Sequence, residues 1–212
     1  MVRITSIEEN KKNKDRVSIY VEGEFLLACD KSIVYKKQLR KDMEVSTETL
    51  LELAKEDDRI KAKDTALRQL ERGYKTEHEV RQKLTLKEYS DETIEQTLKF
   101  LRDYDLVDDR RYATLFVTER IRKNGVYKIK NDLLTKGIDK EIIQEALDRL
   151  EGNDAELDSC MEAGKKKLAI LKNRETDPYK LKNKLYTYLA GRGYSRDTIM
   201  SVLSRLLSGE DD

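Results

Sequence analysis

Histidine and cysteine are the side chains most often used for proton transfer, nucleophilic attack and metal binding near neutral pH. This chain has one histidine, His78, and two cysteines, Cys29 and Cys160, far apart and without CxxC spacing. His78 falls in the first turn of a helix that reads as exposed, and no third group is suggested to orient a His–Cys pair. The adjacent acids Asp108 and Asp109 open a helical pattern, where they serve as cap and dipole partners rather than as a cation site. The phosphate loop GxxxxGK[ST] and the patterns GxGxxG, GxSxG and HExxH do not occur. These residues predict a protein that binds a partner and is not an enzyme, with no cofactor and no metal.

The binding chemistry lies in the cations. Arg120, Arg122, Lys123, Lys128 and Lys130 cluster around Asn124-Gly125, read as a flexible corner, and are the first candidates for DNA phosphate or an acidic patch on a partner. Lys165, Lys166 and Lys167, with Lys180, Lys182 and Lys184, form a second basic cluster. Eleven tyrosines and no tryptophan bring Tyr127, Tyr179, Tyr186 and Tyr188 among these cations, a composition that permits base stacking. The competing readings are a solvated basic surface and half-buried packing tyrosines, and a core role suits Tyr89 and Tyr194 best.

Composition limits the scaffold that can hold these groups. Hydrophobic residues are 38% and charged residues 40%, against about 25% charged in an average soluble domain. One deep core is hard to build from such a chain, whereas a stack of small helical units has more surface per residue. Lys and Arg number 43 and Asp and Glu 42, a net charge of +1 with neither a basic nor an acidic tail. Nucleic-acid contact must therefore come from a local face, and binding to bare DNA at physiological salt should be weak. The absence of an apolar leader and of CxxC spacing predicts a cytoplasmic protein without a membrane span.

The local patterns then place the elements. Val17–Val21 and Phe25–Cys29 flank Glu22-Gly23-Glu24 and predict a β-hairpin, with Arg3–Ile7 as a third strand and the helix after Asp30 as its support. From Thr47 the period becomes helical: Leu50, Leu51, Leu53, Ala54, Ile60, Ala62, Ala66, Leu67 and Leu70 form a stripe that stops at Gly73. Thr76-Glu77-His78-Glu79 fits a capping box, Ser90-Asp91-Glu92 a further helix start, and Asp177-Pro178 another.

One pattern recurs. Val80, Leu84, Tyr89, Ile94, Leu98 and Leu101, moved by 49 positions, fall on Ile129, Leu133, Ile138, Ile143, Leu147 and Leu150. A further 56 positions reach Leu185, Leu189, Tyr194, Ile199, Leu203 and Leu206. Every position is apolar, which marks a helix–turn–helix pair written three times. Each pair has room for a preceding helix, around 60–72, 109–123 and 155–172. Gly137 and Gly193 lie at the corners between paired helices.

Leu106-Val107-Asp108-Asp109-Arg110-Arg111-Tyr112-Ala113, the run Gly125–Ile138 and the run Arg192–Ile199 resemble the RecX family of bacterial regulatory proteins. The resemblance covers roughly residues 60–207; at Glu88 the family often has Gly, which predicts a differently shaped corner. It implies a modulator of the recombinase RecA, three tandem three-helix repeats in an elongated, curved array seated on the RecA filament on single-stranded DNA. Inhibition of RecA ATPase, recombinase and coprotease activities is implied with it. The expected organisation is a β-hairpin segment (1–46), a linking helix with the first repeat (47–107), a second repeat (108–154), a third (155–208) and a tail (209–212), acting as a monomer. The alternatives are a helical-repeat protein that binds DNA directly through a local basic face, and an adaptor for another protein.

Overall fold

A computed structural model describes residues 1–149 and 154–208; Leu150 of the repeated pattern and the tail lie outside the described residues. The chain is mainly helical, with a small antiparallel sheet at its N-terminus and three three-helix units after it. It divides into two compact units, one of residues 1–75 and 80–106, the other of 76–79 and 107–212.

In the first unit β1 (Val2–Glu9), β2 (Arg16–Val21) and β3 (Glu24–Asp30) form the expected meander, and Glu22 and Gly23 both take positive φ (54° and 86°), as a two-residue hairpin turn requires. The helix after Asp30, α1 (Lys31–Lys36), is short and buries only Ile33. A two-residue strand too short to leave an alternating pattern, β4 (Glu44–Val45), extends the sheet to the order β3-β2-β1-β4. The sheet's apolar face of Ile4, Val17, Ile19 and Cys29 is closed by Ile33 and by Leu53 of α2 (Thr47–Leu70). So short a helix as α1 has too little apolar face to cover the sheet alone.

The stripe predicted on α2 is corrected in one turn: Leu51 and Ala54 are exposed, and the buried face runs through Leu53 and Asp57. Asp57 is 2% exposed. Its carboxylate accepts from Arg16 Nη1 and Nη2 at 3.0 and 2.9 Å, from the Asp30 backbone N–H at 2.8 Å, and pairs with Lys61 Nζ at 2.7 Å. It thereby ties the first turn of β2, the end of β3 and the middle of α2 together. Burial pushes the Asp57 carboxyl up, but the bonds from Arg16, Lys61 and Asp30 outweigh it and leave the pKa lowered.

Two helices complete this unit's repeat: α3 (Glu77–Thr85), whose residues 77–79 belong to the second unit, and α4 (Asp91–Asp103), capped by Ser90 Oγ accepting from Thr93 N–H at 3.3 Å. Val80, Leu84, Ile94, Leu98 and Leu101 are buried as expected, and Tyr89 is half-buried with its hydroxyl 3.4 Å from Thr65 Oγ1. The second unit holds α5 (Asp109–Arg120), α6 (Val126–Thr135) and α7 (Lys140–Asp148), then α8 (Ala155–Lys172), α9 (Pro178–Gly191) and α10 (Arg196–Ser208). Ile129, Leu133, Ile138 and Ile143 are core in the first of these triplets, and Leu185, Leu189, Tyr194, Ile199 and Leu203 in the second. Leu147 and Leu206 are partly buried against the same cores.

All three corners have one geometry. Tyr89, Ile138 and Tyr194 N–H donate back to Leu84, Leu133 and Leu189 carbonyls at 3.4, 3.2 and 3.4 Å. The residue before each donor is left-handed, with φ 60° at Glu88, 74° at Gly137 and 83° at Gly193. This is a Schellman ending. The expectation of a different shape at Glu88 is therefore corrected: the backbone bond imposes the same turn, and an exposed glutamate adopts it at a steric cost.

Glu88→Gly should raise the first unit's stability by about 1 kcal/mol in denaturant unfolding, the relieved left-handed strain of roughly 1–2 kcal/mol being partly offset by glycine's greater unfolded-state entropy. Asp57→Asn should lower it by about 3 kcal/mol by leaving Arg16 without its buried partner. Because the folded pKa of Asp57 is depressed, its contribution is present above the unfolded pKa and is lost as pH falls through the folded value. Acid titration of the first unit should show this loss in the parent and a flatter profile in Asp57→Asn.

A cationic joint between helical repeats

Two places in the second unit join a helix start to the corner one repeat further along the chain, and they are built alike. At the first, Thr76 and Glu79 form the predicted capping box, Glu79 N–H donating to Thr76 Oγ1 at 3.2 Å and Thr76 N–H to Glu79 Oε2 at 3.1 Å. The Thr76 hydroxyl in turn donates to the Lys136 carbonyl at 2.8 Å, and Glu77 N–H donates to Asp109 Oδ1 at 3.0 Å. At the second, Gly125 N–H donates to the Arg192 carbonyl at 3.1 Å, Tyr127 N–H to the Gly193 carbonyl at 3.0 Å and Val126 N–H to Glu156 Oε1 at 3.0 Å. Thr76 and Gly125, Glu77 and Val126, and Lys136 and Arg192 are separated by the repeat's own offsets of 49 and 56. A helix start leaves backbone N–H groups without intrahelical partners. At the first joint a carboxylate of the next repeat accepts from one of them while its carbonyl accepts from the Thr76 hydroxyl, and at the second joint two carbonyls and a carboxylate accept from N–H groups directly.

Close approach enforces the residue types. A Cβ at Gly125 would overlap the Gly193 carbonyl and the Tyr194 nitrogen, and one at Gly193 would overlap Lys128. The expectation of a flexible Asn124-Gly125 corner is thus corrected: this backbone is bonded and packed on both sides. His78, read as exposed, is half-buried with its ring against Gly137. Asp108 is the expected cap, accepting from Arg111 N–H at 2.9 Å. Asp109 instead serves the start of α3, and burial pushes its carboxyl pKa up.

The candidate cations fall in distinct places around the second joint. Arg122 and Lys123 from the α5–α6 loop and Lys166 from α8 come together with Arg192 around a cleft of about 370 Å3. Arg192 was not singled out as a cation, because its place in the corner, and not its sequence neighbours, brings it there. Ser159, Ala163, Tyr188, Tyr194 and the one carboxylate, Glu162, complete the lining. Glu162 is paired with Lys166 at 2.5 Å. On the cleft floor Ser159 Oγ and Tyr194 Oη are 2.8 Å apart. Tyr194 is 3% exposed, and burial pushes its phenol pKa up, so it remains protonated.

Elsewhere the candidates scatter. Arg120 is exposed at the end of α5, its guanidinium over the Phe116 ring at 5.3 Å, while Lys128 is exposed and Lys130 half-buried on α6. Lys165 is exposed on α8, and Lys167 covers the Tyr188 ring at 5.1 Å. Arg192 stands over the same ring at 5.4 Å. Lys182 lines a separate groove of about 750 Å3 beside Tyr179 and Met200. Tyr127 and Tyr179 are well exposed, against the expectation of half-buried tyrosines, whereas Tyr186 and Tyr188 pack partly against the third core.

Nucleophilic chemistry has little to work with. Cys29 and Cys160 are fully buried, and burial pushes their thiols up to about 11 and about 12, so neither supplies thiolate at neutral pH. Among the described residues no group of three or more His, Cys, Asp or Glu is placed to hold a metal ion, and no helix is long and apolar enough to cross a membrane.

Three-helix units of one corner geometry, with their polar chemistry on open surface, define a helical-repeat protein. The chain belongs to the RecX family. It matches the models of the regulatory protein RecX N-terminal domain over residues 2–46 and of the first, second and third RecX three-helix domains over 62–101, 108–147 and 154–203. It is 40% identical over 210 residues to regulatory protein RecX of Clostridium perfringens strain 13, covering 99% of each chain. It is 42% identical over 206 residues to that of Clostridium acetobutylicum, covering 97% of this chain and 96% of the other. A crystal structure of regulatory protein RecX superposes with a TM-score of 0.73 at 25% identity, over 95% of this chain and 98% of that one. That of RecX from Lactobacillus salivarius gives 0.64 at 28%, over 72% and 98%.

Proposed function

We propose that this protein regulates RecA by binding the filament that RecA forms on single-stranded DNA, and that it lowers the filament's ATPase, strand-exchange and coprotease activities. It thereby acts, as a cytoplasmic monomer, in homologous recombination, DNA repair and the SOS response. The observation that carries the reading is membership of the RecX family along nearly the whole chain, through all three of its three-helix domains.

Physical features support it. The two copies of the helix-start joint hold surface groups of the second unit in register, which suits a partner that itself repeats. Near-neutral net charge with a local cationic face favours steering and register on a protein filament over general attraction to DNA. Arg120, Arg122, Lys123, Tyr127, Lys128 and Lys130, with Lys165, Lys166, Lys167 and Lys182, are the proposed contact residues.

Added to RecA with ATP and single-stranded DNA, the protein should depress ATP hydrolysis at substoichiometric amounts. Unchanged hydrolysis at equimolar protein would remove the regulatory reading. Reversing charge at Arg120, Arg122 and Lys128 together should raise the amount needed for half-inhibition by roughly a hundredfold, since three charged contacts of about 1 kcal/mol each sum to about 3 kcal/mol. Inhibition at the parent level would reject this contact face while leaving RecA regulation standing.

A further inference from the structure

The two joints differ at one pair of positions, and the difference changes what the second can bind. At the first joint the corner cation Lys136 is neutralised by Glu79, Nζ to Oε1 at 2.8 Å, and stands 5.4 Å from the Tyr112 ring. Forty-nine positions after Glu79 comes Lys128, and 56 after Lys136 comes Arg192. The second joint therefore sets a cation where the first has a carboxylate. No ion pair to Arg122, Lys123 or Arg192 forms among the described residues, and the cleft's one acid is committed to Lys166.

Bringing unpaired cations together costs free energy through their mutual repulsion, and a bound anion removes that cost. The cleft is also organised in advance. Gly125 N–H on the Arg192 carbonyl fixes the corner, Lys123 N–H and Asn124 N–H on the Arg120 carbonyl (both 2.9 Å) fix the loop, and Tyr188 holds the Arg192 guanidinium. On the floor, two hydroxyls share one hydrogen bond between them, so that a second hydroxyl proton remains to donate. Guanidinium and hydroxyl donors converging in a concave site match the oxygens of a phosphate.

We propose that the cleft formed by the α5–α6 loop, α8 and the α9–α10 corner is a phosphate-binding site that takes the phosphate of a nucleotide, whether free or within a single strand, without reading the base. Base independence follows from Tyr188, whose ring is already approached by Lys167 and Arg192. The site needs no RecA, so its test is independent of the regulatory reading above, although Arg122, Lys123 and Lys166 belong to both.

The test is calorimetric titration of the full-length protein, without RecA, at low salt. Thymidine 5′-monophosphate should bind saturably and thymidine should not. Guanosine 5′-monophosphate should bind as tightly as the thymidine nucleotide. In the double variant Arg122→Gln with Lys123→Gln, and separately in Arg192→Gln, affinity should fall by roughly tenfold or more, the loss expected when a charge-assisted hydrogen bond is removed. Circular dichroism checks that the variants are folded, and Lys166→Gln offers a third route should either fail. A short oligothymidylate binding over tenfold tighter than the mononucleotide would assign the site to a strand's backbone, and equal affinity would assign it to free nucleotides. Thymidine binding as well as its phosphate, no saturable binding at millimolar nucleotide, or parent affinity in the folded variants would each overturn the proposal.

Discussion

The N–H groups that open an α-helix have no partner within it, and what satisfies them governs how this protein is assembled. At the start of α3 the Thr76 side chain completes a capping box with Glu79 and passes a bond to the Lys136 carbonyl. At the start of α6 there is no side-chain cap, and the Gly125 backbone donates directly to the Arg192 carbonyl. In both cases an acid from the first helix of the following repeat, Asp109 or Glu156, accepts from the next N–H. The third case closes the series differently. The start of α9 is served by its own Asp177, which accepts from Tyr179 and Lys180 N–H at 2.9 and 3.2 Å, with Pro178 at the first helical position.

This constraint explains the division between what could and could not be read in the sequence. Apolar positions obey a local period, so the triplicated pattern, the positions of the three corners and the cap residues Thr76, Ser90 and Asp177 were all legible. The left-handed corner at Glu88 was not, because the bond from Tyr89 to Leu84, rather than residue type, imposes it. Asp57 could not be read from the helical pattern either: a charged residue on an apolar face looks like an interruption until Arg16 and Asp30, distant in sequence, supply its bonds. The same holds at the site. Arg122, Lys123 and Lys166 were visible as charge clusters, yet their meeting with Arg192 depends on the joint, whose glycine–glycine contact leaves no periodic trace.

Charge acquires meaning from this arrangement. With 43 basic and 42 acidic side chains, an average patch of surface is neutral, and many cations are engaged by nearby acids, as Lys136 is by Glu79. A duplicated joint in which one copy carries Lys128 where the other has Glu79 is therefore a local departure from the chain's own rule. Because the loop and corner that carry the cations are held by backbone bonds, the departure is presented in a fixed geometry. A regulator that works through its surface needs this kind of preorganisation, since ordering flexible lysines on binding would consume much of the interaction energy.

The most direct test of the account is Gly125→Ala, because φ at this position is −76° and alanine suits it, so that what opposes the substitution is the collision with the Gly193–Tyr194 peptide. Hydrogen exchange and denaturant unfolding of this variant should show lost protection at the first turn of α6 and a stability loss of about 3 kcal/mol, as expected for overpacking against backbone. A variant as stable and as protected as the parent would contradict the claim that this joint holds the second and third repeats together.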